Sequence, residues 1–140
     1  MGFEDCQFSK YYTDVVEYMG STPGTITIEG VTFAHYVAGV MSTALGGIHA
    51  GHSLLSKFHN SVVVGHSHLL NYSTHVDLVG RRLHGLVVGC YIDPEADHSY
   101  AGIAARNWWR GVVLLHGAEN GSFDPQFISM KRLRQEYGKR

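Results

Sequence analysis

Ser61-Val62-Val63-Val64-Gly65-His66-Ser67-His68 is an apolar run that stops at a glycine and is followed at once by two histidines one residue apart. Successive valines are β-branched and favour an extended backbone, so the run reads as a short strand buried on both faces. Gly65 lets the chain turn where a side chain would crowd a ligand. His66 and His68 then project from the carboxyl end of that strand, where α/β folds place ligands. Neutral imidazole is the commonest nitrogen ligand for metals, and two at this spacing can serve one ion or two adjacent ions. The chain holds 10 histidines, so an incidental pair is the competing reading.

The flanking sequence repeats the pattern. Thr25-Ile26-Thr27-Ile28 alternates polar and apolar, turns at Glu29-Gly30 and resumes as Val31-Thr32-Phe33-Ala34, which predicts a hairpin with His35 at the tip of its second strand. Adjacent strands of one sheet would bring His35, His66 and His68 to one rim. Three imidazoles without a cysteine suit a borderline divalent ion, whereas harder ions need oxygen ligands. Phe8 to Tyr18 reads as a short amphipathic helix broken by Ser21-Thr22-Pro23-Gly24, and Val37 to Ala50 as a glycine-rich functional or mobile loop. A short helix is expected over Ser53 to His59. A second hairpin joins Val76–Val79 to Leu83–Tyr91 across Gly80-Arg81-Arg82. Trp108 to His116 and Phe127 to Met130 form a further strand pair across Gly117 to Pro125, and Lys131 to Tyr137 closes as a helix. Strands dominate, mostly in hairpins, with few short helices: a β-rich α/β arrangement in one domain, not a doubly wound parallel sheet.

The totals narrow the function. Apolar residues make up 44% of the 140 residues and charged ones 16%, enough for a core and too few charges for disorder. With 11 basic and 12 acidic residues, no global field draws the chain to nucleic acid. The local basic run Lys131-Arg132-Leu133-Arg134 is a solvated helix face or a phosphate-binding patch. Cys6 and Cys90 lack C-x-x-C spacing and fit reduced thiols, with Cys90 expected to be buried. No apolar run reaches membrane length and the amino terminus has no signal pattern, so a soluble, cytoplasmic chain without membrane contact is expected.

At Gly65-His66-Ser67-His68 and His35 the sequence resembles the calcineurin-like metallophosphoesterases, as their G-H-x-H motif and isolated upstream histidine. The stretch from Gly24 through His68 is especially similar to family members found in bacteriophages. So is Gly85-Leu86-Val87-Val88-Gly89-Cys90-Tyr91 followed by Trp108-Trp109-Arg110-Gly111-Val112-Val113. The resemblance implies an α/β/β/α sandwich holding two divalent ions, manganese, iron or zinc, with His35 and His66 on one and His68 on the other. It implies hydrolysis of phosphomonoesters or phosphodiesters, nucleic-acid backbones included. Paired ions clamp the phosphate, acidify a shared water and stabilise charge on the attacking and leaving oxygens.

The family's earlier motifs, D-x-H, G-D-x-x-D and G-N-H-[DE], do not precede His35. With them the bridging aspartate, the asparagine ligand and the histidine general acid are missing. Residues 1–140 therefore read as a single partial domain, the carboxyl-terminal part of a calcineurin-like phosphoesterase domain. Its expected partners are a phosphoester substrate and a complementing amino-terminal polypeptide, or self-association through exposed sheet surface. Two other readings stand beside the enzyme: a non-catalytic metal-binding or interaction module derived from that fold, and a structural fragment whose histidines bind nothing. His49 and His52, in the glycine-rich loop, read as substrate-entrance or surface residues. His59, His75, His84, His98 and His116 read as structural or exposed. Trp108-Trp109 could stack on bases, but neighbours on a strand point to opposite faces, so at least one is expected to pack in the core.

Overall fold

The computed structural model describes residues 15–16, 24–38, 47–95 and 98–138. Within them the chain forms β1 (Val15–Val16), β2 (Thr25–Ile28), β3 (Val31–Ala34), α1 (Ala50–Phe58), β4 (Ser61–Val64), β5 (Leu70–Val76) and β6 (Arg82–Val88). Two 3-10 turns over Ser99–Asn107 follow, parted at Gly102, then β7 (Gly111–Glu119), β8 (Ser122–Ser129) and α2 (Met130–Tyr137). This is a mixed α/β architecture. Six strands make one sheet in the order β1-β2-β3-β4-β6-β5, and β7 with β8 makes a second, two-stranded sheet.

Strand β4 sits inside the large sheet with parallel neighbours on both sides, Ala34 opposite Val64 in β3 and Val64 opposite Val87 in β6. Its period-2 geometry explains the triple valine. Val62 and Val64 turn to one face and pack with Val37, Ala50, Leu54 and Val87. Val63 turns to the other face and packs with Val31, Leu86 and Phe123, where Val113 and Leu115 of β7 close the cluster. Helix α1 thus covers one face and the β7–β8 ribbon the other. Burying three valine side chains on one strand contributes about 1.5–3 kcal/mol each.

The ribbon is pinned at the start of β4. Hairpin β2–β3 turns at Glu29 (φ +49) and Gly30 (φ +77), and the ribbon turns at Asn120 (φ +50) and Gly121 (φ +83), both left-handed pairs suited to two-residue hairpins. The two turns meet tip to tip: Gly121 N–H donates to the Glu29 carbonyl at 2.7 Å. Ser61, fully buried, donates its hydroxyl to the Gly121 carbonyl and accepts from the His84 amide at 3.0 Å.

His84 is 1% exposed and sits between the sheet and the ribbon. Its Nε2 accepts from the Phe123 amide at 3.4 Å, so the proton is on Nδ1, which donates to the Tyr72 hydroxyl at 2.7 Å. The ring stacks on Phe123 with centroids 4.0 Å apart. Burial, and then the charge of Arg82, lower its pKa and keep it neutral, with Asp124 acting weakly the other way.

Several expected boundaries move. Val15–Val16 pair with β2, so the helix expected over Phe8 to Tyr18 is strand there; the rest of that helix and Cys6 lie outside the described residues. Residues 39–46 of the expected loop also lie outside, while Val37 is core. The second hairpin begins at Leu70 rather than Val76, and Leu78 and Val79 are exposed in its turn. Strand β7 starts at Gly111, after both tryptophans, and β8 begins at Ser122. Cys90 is half-buried rather than buried. No helix among the described residues is long and apolar enough to cross a membrane.

Two outcomes follow from the packing. Helix α1 meets β6 backbone to backbone: a Cβ on Gly85 would strike the Gly51 carbonyl and lie 3.1 Å from the Leu55 Cγ. Gly85→Ala is expected to cost at least about 2 kcal/mol in a urea melt; an unchanged midpoint would show that the helix can retreat freely. His84, with its folded pKa below the unfolded value of 6.5, stabilises the fold above that pH and loses this contribution as pH falls through 6.5 and below. The melting temperature should decline on that acid limb, and His84→Gln, which keeps an acceptor for Phe123, should flatten the decline.

A candidate metal centre at the carboxyl rim of the parallel strands

Parallel pairing of β3 with β4 carries His35 and His66 out of the sheet side by side. The His35 carbonyl accepts from both the Gly65 amide (3.1 Å) and the His66 amide (2.9 Å), which ties the two strand ends together beyond the ladder. The rings then meet: His66 Nδ1 lies 3.0 Å from His35 Nε2, with centroids 4.9 Å apart and planes at 83°. Both residues are exposed, so the pair opens on solvent. Tyr36 packs against the His66 ring at 5.2 Å, which limits how far that ring can turn.

His68 leaves the pair. It adopts a left-handed backbone at φ +60, and its carbonyl accepts from the Trp109 amide at 3.0 Å. Its ring stands edge-on to Trp108 with centroids 4.5 Å apart. Burial lowers its pKa first, followed by the nearby charges of His66, His35 and Arg110. The neutral imidazole keeps a nitrogen lone pair for a ligand or a proton.

The third wall of the rim comes from the end of β6 and the approach to β7. Gly89 (φ +74) donates its amide to the Leu69 carbonyl at 2.9 Å, and Cys90 exchanges backbone bonds with Trp109 and Gly111 at 2.9 and 3.0 Å. A Cβ on Gly89 would collide with the Trp109 carbonyl and lie 2.7 Å from its Cε3, so only glycine lets the tryptophan segment lie this close. Arg110 sets its guanidinium 5.5 Å from the Trp108 ring centre, and His98 and Tyr100 flank the same ring at 5.4 and 6.0 Å.

The donor chemistry can be tested against an ion. An ion in tetrahedral geometry bonded to two imidazole nitrogens at about 2.0–2.1 Å holds them about 3.3–3.4 Å apart. The His35 and His66 nitrogens lie closer, at 3.0 Å, where the rings share a hydrogen bond. Loss of that shared proton and a small opening of the pair would be needed for both to serve one ion. Among the described residues, no group of three or more His, Cys, Asp or Glu side chains is disposed to hold a metal, so His68 is not drawn into that set. His49 and His52 lie at the start of α1, exposed, while His59 caps its end in a left-handed conformation. His75 is exposed on β5, His116 pairs with Gln126 at 2.8 Å, and His84 is the buried residue described above.

Sequence reasoning placed His35, His66 and His68 at strand ends but passed over Arg110. Its position directly after Trp108-Trp109 was the available signal. Comparison with family models, with curated proteins and with solved structures yields no match.

Gly89→Ala is expected to destabilise the chain by about 1–3 kcal/mol and to shift the tryptophan emission, because the strained φ and the collision both push Trp109 away. Fluorescence-detected denaturation reads both effects, and an emission maximum identical to the parent chain would show that the segment is not held by this contact.

Proposed function

We propose that this chain carries part of the centre of a metal-dependent phosphoesterase of the calcineurin-like type. The observation that supports it most directly is the contact of His35 Nε2 with His66 Nδ1, 3.0 Å apart at the carboxyl ends of two parallel strands. A helix, a mixed sheet and a strand ribbon stacked in that order support the α/β/β part of the α/β/β/α sandwich that the resemblance implies. In this reading His35 and His66 hold one divalent ion, manganese, iron or zinc, and His68 serves a second. Bound there, such ions would supply a nucleophilic water at neutral pH and charge stabilisation for the phosphoryl oxygens.

The chain's own residues do the rest. The His35 carbonyl, bonded to two amides, fixes the spacing of the first pair before any ligand arrives. Tyr36 restrains His66, and the Trp109 amide with the Trp108 ring holds His68 at its own station. His68, kept neutral by burial and neighbouring positive charge, can accept a proton or a metal bond. Arg110, on the Trp108 ring, places a permanent cation beside that station where phosphate charge would gather.

Bridging carboxylate and asparagine ligands would come from a complementing amino-terminal polypeptide. The ribbon offers a surface for such assembly: its outward Leu114 is 44% exposed, and β7 and β8 pair only with each other among the described strands.

Calorimetric titration with manganese or zinc should give a site that His35→Ala and His66→Ala each weaken by about tenfold or more, about 1.4 kcal/mol. Hydrolysis of bis-p-nitrophenyl phosphate with manganese should rise when the family's amino-terminal half is added and vanish when His66 and His68 are both alanine. Metal binding without hydrolysis would leave a binding module, and hydrolysis surviving the double substitution would sink the assignment altogether.

A further inference from the structure

An open groove of about 530 Å³ lies beside Trp108, within the size range of small-ligand sites. Its walls come from three separate segments: Pro94, then Trp108, Trp109 and Arg110, then Met130 and Lys131. Trp108 both lines the groove and meets His68 at 4.5 Å. The Met130 amide donates to the Arg110 carbonyl at 2.8 Å and sets the start of α2 beside the tryptophans.

The groove combines aromatic walls with unneutralised cations. Arg134 also lines it, but its guanidinium is bound to Asp93 at 2.6 Å and Glu95 at 2.8 Å. Among the described residues neither Arg110 nor Lys131 has a carboxylate partner, so these two charges outlast the internal pairing. Among the described residues Arg110 Nε is buried without an acceptor. A buried donor left unsatisfied is costly, so the Arg110 side chain gains by turning that nitrogen towards a ligand oxygen.

The chemistry of the occupant follows from both properties together. Inorganic phosphate or a sugar phosphate would use the cations and leave the apolar wall wet. A purely apolar ligand would desolvate two charges without compensation. An aromatic base joined to a phosphate matches each part, because bases pack on aromatic side chains and phosphates on Arg and Lys.

We propose that this groove binds a nucleoside phosphate, with the base against the tryptophan–methionine wall and the phosphate at Arg110 and Lys131. The ester is thereby presented to His68. This assignment rests on the phosphoesterase reading and names its substrate class: nucleotide, either free or within a single strand.

The full chain, in EDTA so that no metal contributes, is titrated by tryptophan fluorescence with adenosine monophosphate, a thymidine hexanucleotide and ribose 5-phosphate. Ribose 5-phosphate should bind at least tenfold more weakly than the better of the other two. Preference for the hexanucleotide marks a single strand as the source, and equal affinity marks the free nucleotide. Lys131→Ala, an exposed surface change, and Arg110→Gln should each weaken binding about fivefold or more. For the hexanucleotide, the slope of log affinity against log salt should be about −1.4 in the parent and about −0.7 in Lys131→Ala. Ribose 5-phosphate binding as tightly as the nucleotides, no binding of either, or parental affinity in both variants would overturn the proposal. Nucleotide binding that persists in EDTA while hydrolysis is never detected would overturn the phosphoesterase reading alone.

Discussion

Strand β4 is hydrogen-bonded on both sides to parallel neighbours, and this pairing decides which chain ends share a rim. Parallel strands all leave the sheet in one direction, so the residues after β3, β4 and β6 converge without further instruction. Were β3 antiparallel to β4, His35 and His66 would stand at opposite ends of the sheet. The two amides that bind the His35 carbonyl carry the same register one residue past the ladder. Burial on both faces makes the register costly to change, because a slip of one residue would exchange the helix-facing and ribbon-facing valines.

The ribbon depends on that sheet at two distant places. At the start of β4 it is held by Gly121, through Glu29 and the Ser61 hydroxyl. At the rim it is held by Trp109 and Gly111, through His68 and Cys90. Phe123 and His84 fill the space between these anchors. The arrangement delivers Trp108 and Arg110 beside His68, although neither belongs to a strand of the large sheet. Glycines at 85 and 89 permit the approaches that bring α1 and the tryptophan segment close.

Where the sequence misled, the physics is identifiable. Strand β5 is an edge strand whose Asn71, Ser73, Thr74 and His75 give no apolar alternation, so its start was hidden. The apolar signal nearby, Leu78 and Val79, belongs to an exposed turn. Pro125 obscured β8, yet a proline is tolerated there because β8 pairs only with β7 among the described strands. The Asn120-Gly121 pair was a legible hairpin signal that the wider Gly117 to Pro125 turn passed over. The His66 strand, the first hairpin and the terminal helix were readable because each rests on short-range chemistry: β-branching, a left-handed glycine turn, and helical spacing after Ser129.

By itself the sequence determined which segments extend and which histidines follow a strand end, since alternation and turn residues act over a few positions. Tertiary structure alone decided that His35 Nε2 meets His66 Nδ1 across 31 residues, and that His68 turns aside to Trp108. It also decided that Arg110 Nε is buried without a hydrogen-bond partner among the described residues. Those outcomes depend on parallel register and on the docking of a distant ribbon, and no local pattern encodes either one.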